Sequence, residues 1–272
     1  MRIETITSAR NPKIKALLAL QEKSKARREE GLFVVEGRRE LAHCVAAGFR
    51  VRTLFVCPAV FDGDPADLFP GGAPVPDVVE VPEEVYRRIA YREGTEGIIA
   101  EVFAKERRLE DLVLSERPLV VVLEAVEKPG NLGAVLRSAD AAGADAVILC
   151  DPATDLYNPN LIRASIGSVF TRQVAVATTE ETIAWLRARG IAILTAQLQD
   201  SVPYYDSDMR RGTALVMGTE ATGLTPAWRE AADRHIRIPM LGRLDSLNVS
   251  VSAAILLFEA VRQRNSGRED VI

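Results

Sequence analysis

The sequence holds few of the residues from which metal centres and Ser-His-Asp sites are built. Its histidines are His43 and His235, and its cysteines, Cys44, Cys57 and Cys150, are far apart and form no CxxC pair. Structural zinc takes four ligands, mostly Cys or His, and a Ser-His-Asp site needs a histidine beside its nucleophile, so this small stock argues against both. Three scattered cysteines are more typical of free thiols in a reducing cytosol than of disulfide bonds or a zinc site.

Long apolar runs are missing as well. No stretch of about 18 apolar residues occurs, so we expect no membrane span. The N-terminal stretch MRIETITSARNPKIK contains no apolar signal core, and we therefore expect a cytoplasmic protein. The length of 272 residues accommodates two domains, and the apolar fraction of 47% and the charged fraction of 26% are those of a globular protein.

Excess positive charge is also absent overall, since the net charge is −4. That value argues mildly against a nucleic-acid partner, but the distribution of charge argues for one. Residues 1–40 hold ten Lys or Arg against six Glu, whereas residues 62–84 hold seven acidic residues and no Lys or Arg. A basic N-terminal face is suited to neutralising phosphates. A solvated helix with Glu–Lys pairs explains the same pattern, and charge alone leaves both interpretations open.

The first 105 or so residues alternate short helices and short strands, which predicts a small α/β sandwich. The stretch NPKIKALLALQEKSKARREE is typical of a helix, with Asn11 as its N-cap and Pro12 at the first helical position. A charged segment, residues 106–117, follows and ends near a proline. We interpret this segment as a linker between two domains.

Beyond the linker the strands become continuous apolar runs. They read LVVVLEAV, DAVILC, VAVAT, IAILTA and ALVMG, with helical segments between them. Uninterrupted apolar strands that alternate with helices indicate a parallel sheet covered on both faces. Ligands bind such sheets at the carboxyl ends of the strands, so the loops after LVVVLEAV, IAILTA, ALVMG and RIPM are the places to search for a site.

The first of these loops lies in residues 127–150 and contains two glycines, Gly130 and Gly133, around Asn131, with Arg137 about one helical turn further on. The glycines permit a tight turn. Their spacing is not G-x-G-x-x-G, so a dinucleotide fingerprint is not met. A structural turn that carries a surface arginine explains the loop equally well.

The second loop, ALVMGTEATGLTPAW, frames Glu220 between Gly218 and Gly223. Its G-x-x-x-x-G spacing imitates a phosphate loop, but Leu224 stands where the phosphate-binding lysine is needed, and Glu220 would repel a triphosphate. A carboxylate in such a loop favours a cationic or hydroxyl-bearing ligand. The alternative is a glutamate that caps a neighbouring backbone N–H.

The third loop opens the segment IPMLGRLDSLNVSVSAAILLFEA. Four polar side chains, Ser246, Asn248, Ser250 and Ser252, lie at the mouth of an apolar helix. One of them, for example Ser246, would serve as a helix cap. Four on two successive turns indicate a polar pocket, or a backbone segment that passes very close by.

Together these three loops resemble the motifs of the SpoU/TrmH family of RNA 2′-O-ribose methyltransferases. The matching stretches are EKPGNLGAVLRSADAAGA, VMGTEATGL and IPMLGRLDSLNVSVSAAI, and NPNLIRASIGSVF is similar to the segment between the first two. The resemblance covers roughly residues 117–265. The N-terminal part is similar, with more diffuse motifs, to a substrate-binding domain whose fold is like that of kink-turn-binding ribosomal proteins.

The resemblance implies an α/β fold with three parts. Residues 1–105 would form the smaller RNA substrate-binding domain, 106–117 the linker, and 118–272 a parallel-sheet methyltransferase domain that ends in a deep trefoil knot. Threaded chains are otherwise nearly absent from proteins. Small and polar residues at 246–254 are what a threaded backbone that crosses a cofactor pocket would require.

The resemblance also implies S-adenosylmethionine as methyl donor, RNA as partner, with 23S-type ribosomal RNA favoured over transfer RNA, and a homodimer through the knotted domain, for which the face of LLFEAVRQR is a candidate. The family's catalytic positions match Asn131, Arg137, Glu220, Ser246 and Asn248. Its cofactor-binding positions match Thr195, Met217, Gly218, Ile238, Met240 and Leu247. No metal is implied.

The roles of these residues follow the resemblance. Arg137 would contact the ribose or its phosphate, with Glu220 and Asn248 orienting it, while Ser246 and Asn131 would fix the loops or contact the target nucleotide. A general-base role for Arg137 is demanding, because the guanidinium pKa lies above about 12.

Three other interpretations stay open. A nucleotide-dependent oxidoreductase lacks its fingerprint, and a non-catalytic RNA-binding protein does not explain the complete set of motif residues. A base methyltransferase on the same knot is the third, although the N-x-x-x-x-x-R and SLNVS patterns favour ribose.

Overall fold

The computed structural model describes residues 2–91, 96–171, 173–219, 221–243 and 246–266. The elements in chain order are β1 (Ile3–Thr5), α1 (Pro12–Glu22), α2 (Ser24–Glu30), β2 (Leu32–Glu36), α3 (Arg38–Ala46), β3 (Val51–Val56), β4 (Asp77–Glu80), α4 (Glu83–Ile89), β5 (Ile98–Phe103), β6 (Leu119–Glu124), α5 (Pro129–Ala141), β7 (Ala146–Cys150), α6 (Pro159–Ala164), α7 (Ser168–Thr171), β8 (Gln173–Ala177), α8 (Thr179–Ala188), β9 (Ala192–Ala196), β10 (Val202–Pro203), β11 (Thr213–Met217), α9 (Pro226–Ala231), β12 (Arg234–Arg237) and α10 (Val249–Asn265). Short 3-10 helices occur at Pro65–Leu68, Leu109–Asp111 and Tyr204–Asp206.

The chain forms two compact units. One unit comprises Met1–Glu106 together with Asp155–Thr171, and the other comprises Arg107–Thr154 together with Arg172–Ile272. None of the described helices combines the length and apolar character needed to cross a bilayer.

The first unit is built on a mixed sheet with the strand order β1-β4-β3-β5-β2. Strand β4 runs parallel to β1 and β3, and β5 runs antiparallel to β2 and β3. Helix α1 buries Ile14, Leu17 and Leu20 in a core with Val34 and Phe55 of the sheet. The predicted helix start is confirmed: Asn11 Oδ1 accepts a hydrogen bond from the Lys13 N–H at 2.9 Å. The predicted single helix is divided, because Lys23 between α1 and α2 adopts an extended backbone.

The segment Asp155–Thr171 packs within this first unit, although it follows β7 of the other one. Phe33 of β2 stacks on Tyr157 at a centroid distance of 4.2 Å, and Phe49 meets Phe170 edge-on at 5.3 Å. Asp155 forms a buried ion pair with Arg27, whose Nε lies 2.5 Å from Oδ2. The sequence did not predict this placement, since nothing local in the segment indicates its partners.

The second unit is built on a parallel sheet with the strand order β10-β12-β9-β11-β6-β7-β8. All of its described pairings are parallel. Strand β6 is buried along its whole length, as expected for a strand covered on both faces. The predicted α/β class with a parallel sheet is confirmed. Strand β10 is one that we did not predict, and β12 ends at Arg237, where the strand end expected at RIPM begins.

The strand order brings four loops together. From β6 the chain moves outward through β7 and β8, then crosses to β9, and β11 is inserted between β9 and β6. The carboxyl ends of β6, β11, β9 and β12 therefore adjoin, which is where parallel sheets bind ligands. Helix α10 packs on α5 and on β11. The deep trefoil knot stays a prediction.

Candidate active site

A cleft of about 360 Å³ opens at the carboxyl ends of β9, β11 and β12. We call it the first cleft. Its lining comes from residues 196–199, 217–219, 221–224, 229, 236–238, 240, 246 and 247 and from the start of α10. Met217, Leu224 and Ile236 are buried and give it apolar walls. Its size lies within the range of about 300–1,000 Å³ that is typical of small-molecule sites.

The loop after β11 forms one wall of this cleft, and its described residues, 218, 219 and 221–224, are called the glycine turn below. A Cβ atom on Gly218 would lie 2.3 Å from the Gly223 carbonyl oxygen. Glycine is therefore required at 218 for the backbone of Gly223 to approach this closely. The Gly223 N–H donates to the Thr219 carbonyl at 3.1 Å, and the hydroxyls of Thr219 and Thr222 are 2.8 Å apart. These bonds brace the turn internally. Glu220 lies outside the described residues.

A second cleft, of about 350 Å³, adjoins the first one at the glycine turn. Its lining residues are Val126, Glu127, Lys128, Asn131, Gly218, Thr219, Ala221, Thr222 and Val249. Gly218, Thr219, Ala221, Thr222 and Val249 also line the first cleft. The glycine turn and Val249 are thus common to both clefts, so ligands in the two would be close neighbours.

Asn131 and Asn248 are brought together at this place. Asn248 Nδ2 donates to Asn131 Oδ1 at 3.0 Å, which ties the start of α10 to the first turn of α5. Asn248 is also the N-cap of α10, since its Oδ1 accepts from the Ser250 N–H at 2.9 Å and from the Ser250 hydroxyl at 2.6 Å. The suggestion that Ser246 serves as the cap is wrong, because the helix begins at Val249, one residue after Asn248.

The remaining predicted catalytic residues lie apart from this pair. Ser246 lines the first cleft. Arg137 is exposed on α5, one and a half turns beyond Asn131, and lines neither cleft. The structure therefore joins Asn131 to Asn248, places Ser246 beside the first cleft, and leaves Arg137 on an open helix face.

The residues predicted to bind a cofactor mostly surround the first cleft. Met217, Gly218, Ile238, Met240 and Leu247 all line it. Thr195 does not: it is fully buried, and its hydroxyl lies 2.6 Å from His235 Nδ1 on the adjacent strand.

The residues just after β9, which sequence reasoning missed, line the cleft instead. Gln197 Nε2 donates to the Gln199 carbonyl at 2.9 Å, while Gln197 Oε1 is buried without a hydrogen-bond partner in the described part of the chain. Its position directly after an apolar strand was the signal that could have found it.

Cys150, at the end of β7, is the one cysteine near this sheet edge. Burial raises the pKa of its thiol to about 12, against a hydrogen bond to Thr182 that lowers it. The thiol is therefore neutral at physiological pH and is not a nucleophile. No group of His, Cys, Asp or Glu within the described ranges could hold a metal ion.

A comparison with known protein families decides the assignment. The model of the SpoU rRNA Methylase family matches residues 118–258, and that of the MRM3-like substrate binding domain matches residues 11–100. The chain belongs to the SpoU rRNA methylase family. The resemblance found in the sequence is confirmed.

Relatives of this SpoU protein are similar over nearly its whole length. The 23S rRNA (uridine(2479)-2′-O)-methyltransferase of Streptomyces viridochromogenes is 31% identical, and the match covers 96% of this chain and 93% of the relative. The 23S rRNA (guanosine(2553)-2′-O)-methyltransferase of Bacillus subtilis (strain 168) is 30% identical, over 94% and 98% of the two chains.

Solved structures agree with the SpoU assignment. The SpoU methyltransferase of S. viridochromogenes in complex with AdoMet has a TM-score of 0.87 and 30% identity, with 95% of this chain and 100% of that chain covered. An AdoMet-bound rRNA methyltransferase from Sinorhizobium meliloti has a TM-score of 0.85 and 34% identity, with 96% and 98% covered.

The first cleft of the SpoU domain fits the cofactor that the family implies. S-adenosylmethionine carries amino and hydroxyl donors, and Gln197 Oε1 is a buried acceptor that has no donor among the described residues. Buried polar atoms are almost always hydrogen-bonded, so this oxygen suits a ligand donor. The apolar lining residues and the backbone at Gly218, which carries no side chain, accommodate the remaining parts of S-adenosylmethionine.

Proposed function

We propose that the protein transfers a methyl group from S-adenosylmethionine to a ribose 2′-hydroxyl of 23S ribosomal RNA. The observation that carries this proposal is the pair of adjoining clefts whose linings share the glycine turn. A donor molecule in the first cleft and a nucleoside in the second would meet at this turn. Proximity of this kind converts a bimolecular step into an effectively unimolecular one.

The chain's own residues mainly bind and position. S-adenosylmethionine supplies a methyl group already activated by the sulfonium. Met217, Ile238 and Met240 offer apolar surface to it, and Gln197 Oε1 accepts a hydrogen bond from one of its donors. Gly218 lets the backbone approach closely, which explains why the sequence needs no G-x-G-x-x-G loop for this cofactor.

The second cleft takes the target nucleotide in this proposal. Asn131, held by Asn248, contacts the ribose at the wall of this cleft. Arg137 binds the ribose or its phosphate by charge-assisted hydrogen bonds, for which a planar guanidinium is suited. Ser246 and Glu220 complete the set that the family motif assigns to catalysis.

The protein acts as a homodimer in this proposal. Val251 and Phe258, on α10, are 46% and 48% exposed, which is unusual for large apolar side chains on a helix that also packs on α5. A second copy covering this face would bury them.

We also propose the knot in the C-terminal domain, a cytoplasmic location, and the domain boundaries 1–105, 106–117 and 118–272, with Asp155–Thr171 packed against the N-terminal part.

Two measurements test the function. Isothermal titration calorimetry with S-adenosylmethionine should show binding, and mass spectrometry of 23S rRNA incubated with protein and cofactor should show a gain of one 2′-O-methyl nucleotide. Methylation of a base, or of transfer RNA with 23S rRNA unchanged, would contradict the proposal. Absence of cofactor binding would favour the non-catalytic RNA-binding alternative.

A further inference from the structure

Glu124 is the last residue of β6 and carries a buried carboxylate at the sheet edge where the clefts open. It is 3% exposed. Its Oε2 accepts from the Thr225 N–H at 2.8 Å, and its Oε1 accepts from the Thr225 hydroxyl at 2.7 Å. Oε1 also accepts from the Thr179 hydroxyl, at the start of α8, at 3.1 Å. These donors offset the cost of burying a charge, and they connect β6 to two different segments.

The two segments do not hold Glu124 equally. The Thr179 hydroxyl has one proton, and it lies 3.0 Å from Asp151 Oδ2 as well as 3.1 Å from Glu124 Oε1. Thr225 offers two separate donors, one to each oxygen of the Glu124 carboxylate. The connection from Glu124 to Thr225 is therefore the stronger one.

Thr225 follows directly on the glycine turn. Bonds between Thr219, Thr222 and Gly223 brace this turn internally, so we expect a displacement of one end to be passed on to these residues. One of its ends continues β11, and the other is held by Glu124. A bond at that second end therefore restrains the backbone with which the turn lines the first cleft.

The backbone beside Glu124 is itself held in an unfavourable conformation. Ala125 has a φ of 51°, a region that costs a non-glycine residue energy, and its N–H donates to the Cys150 carbonyl at 2.9 Å. Such strain persists where the surroundings fix the chain, and it is concentrated at functional sites. Glu124 thus lies on a conformationally restrained backbone, and it bonds from there to Thr225 beside the glycine turn.

We infer that Glu124 is a positioning residue, which fixes the glycine turn through Thr225 and so sets the shape of the first cleft. The inference deepens the proposed function and rests on it, because S-adenosylmethionine is the ligand that reports on the cleft. Glu124 lines neither cleft and acts through its neighbours.

A matched pair of variants tests the inference. Thr225→Val and Thr179→Val each remove one hydroxyl from the same carboxylate and keep the shape of the side chain. In calorimetry we expect the Kd for S-adenosylmethionine to rise about tenfold in Thr225→Val and less than about twofold in Thr179→Val. Urea unfolding should show a similar loss of stability in the two variants, since each loses the one proton that its hydroxyl donates to carboxylate oxygens.

Hydrogen–deuterium exchange without cofactor supplies a second readout. Peptides that contain Thr222 and Gly223 should exchange faster in Thr225→Val than in the wild-type protein, and at the wild-type rate in Thr179→Val. A merely structural role for Glu124 would not distinguish the two variants in this way.

A conservative exchange at Glu124 gives the third check. Glu124→Gln keeps an oxygen for the Thr225 N–H, and its amide donates to the hydroxyl oxygens, so its Kd should stay within about threefold of the wild-type value. Glu124→Met keeps the length without these bonds and should weaken binding by about tenfold or more.

Two outcomes are kept apart by this design. Equal Kd values for Thr225→Val and Thr179→Val, with normal binding by the wild-type protein, would overturn the positioning role and leave the proposed function standing. No binding by the wild-type protein would overturn the proposed function and the inference with it.

Discussion

The two clefts share the glycine turn but differ in what else lines them. The carboxyl ends of β9 and β12 line the first, where Met217 and Ile236 are at most 2% exposed, whereas the exposed Glu127 and Lys128, just before α5, line the second. A cleft with buried apolar side chains suits a small molecule, and exposed charged residues suit part of a large, charged molecule. The difference teaches that cofactor binding and methyl transfer should be separable by mutation, except at the shared glycine turn.

The largest separation is expected from Arg137→Ala. Because Arg137 lines neither cleft and is assigned to the ribose or its phosphate, methyl transfer should fall by more than about a hundredfold while the Kd for S-adenosylmethionine stays unchanged. Methyl incorporation into 23S rRNA and calorimetry measure the two quantities. Arg187→Ala, on the exposed face of α8, is the control; full turnover by Arg137→Ala would remove this arginine from the mechanism.

Gly218→Ala should break the separation, because Gly218 lines both clefts. The added Cβ would lie 2.3 Å from the Gly223 carbonyl oxygen, so the backbone of the turn would have to shift, and we expect the Kd for S-adenosylmethionine to rise by about thirtyfold or more and transfer to fall with it. Gly242→Ala is the matched control, since a Cβ there meets nothing within 4 Å. Unchanged binding by Gly218→Ala would show that the close backbone crossing is not needed for the cleft.

Asn248→Ala should have a moderate effect that is confined to transfer. It removes the bond to Asn131 and the cap of α10, which together should lower methyl transfer about tenfold and stability by about 1 kcal/mol. Thr178→Ala removes the cap of α8 at a similar cost in stability and should leave transfer unchanged. If both variants retain wild-type transfer rates, Asn248 acts as a cap alone.

Gln197→Met is expected to have the smallest effect. It keeps the length of the side chain but removes the buried acceptor at the first cleft, so the Kd for S-adenosylmethionine should rise about fivefold with kcat unaltered. Calorimetry and initial rates at saturating cofactor measure the two. An unchanged Kd would mean that Gln197 Oε1 accepts nothing from the ligand.

The sequence predicted best what side-chain patterns encode locally. Apolar runs such as LVVVLE correspond to strands that are buried throughout, and Asn11 followed by Pro12 begins α1 as its capping chemistry requires. The three motif loops lie at one sheet edge because parallel strands end there. The fold class followed from the apolar runs, and the family from the resemblance of the three loops to its motifs.

Other features escaped prediction for physical reasons. Strand β12 reads Arg-His-Ile-Arg and buries a single side chain, so its bounds could not be predicted from an apolar run, although a strand end was expected at RIPM. Thr195 looks like a strand-end residue, but which neighbour its hydroxyl meets depends on the strand order, which periodicity does not report. The N-cap of α10 is Asn248, two residues after the predicted Ser246, because Ser and Asn are equally suitable as N-cap residues.

The segment Asp155–Thr171 belongs to the first unit although it lies far along the chain, and this affects how the protein can be truncated. A fragment cut after residue 106 would lack Tyr157 and Phe170, and would leave Phe33, Phe49 and the cation of Arg27 without the groups that cover them. Such a fragment should aggregate or stay partly folded. Laboratories that wish to study RNA recognition in isolation will need to splice residues 155–171 back onto the truncated chain.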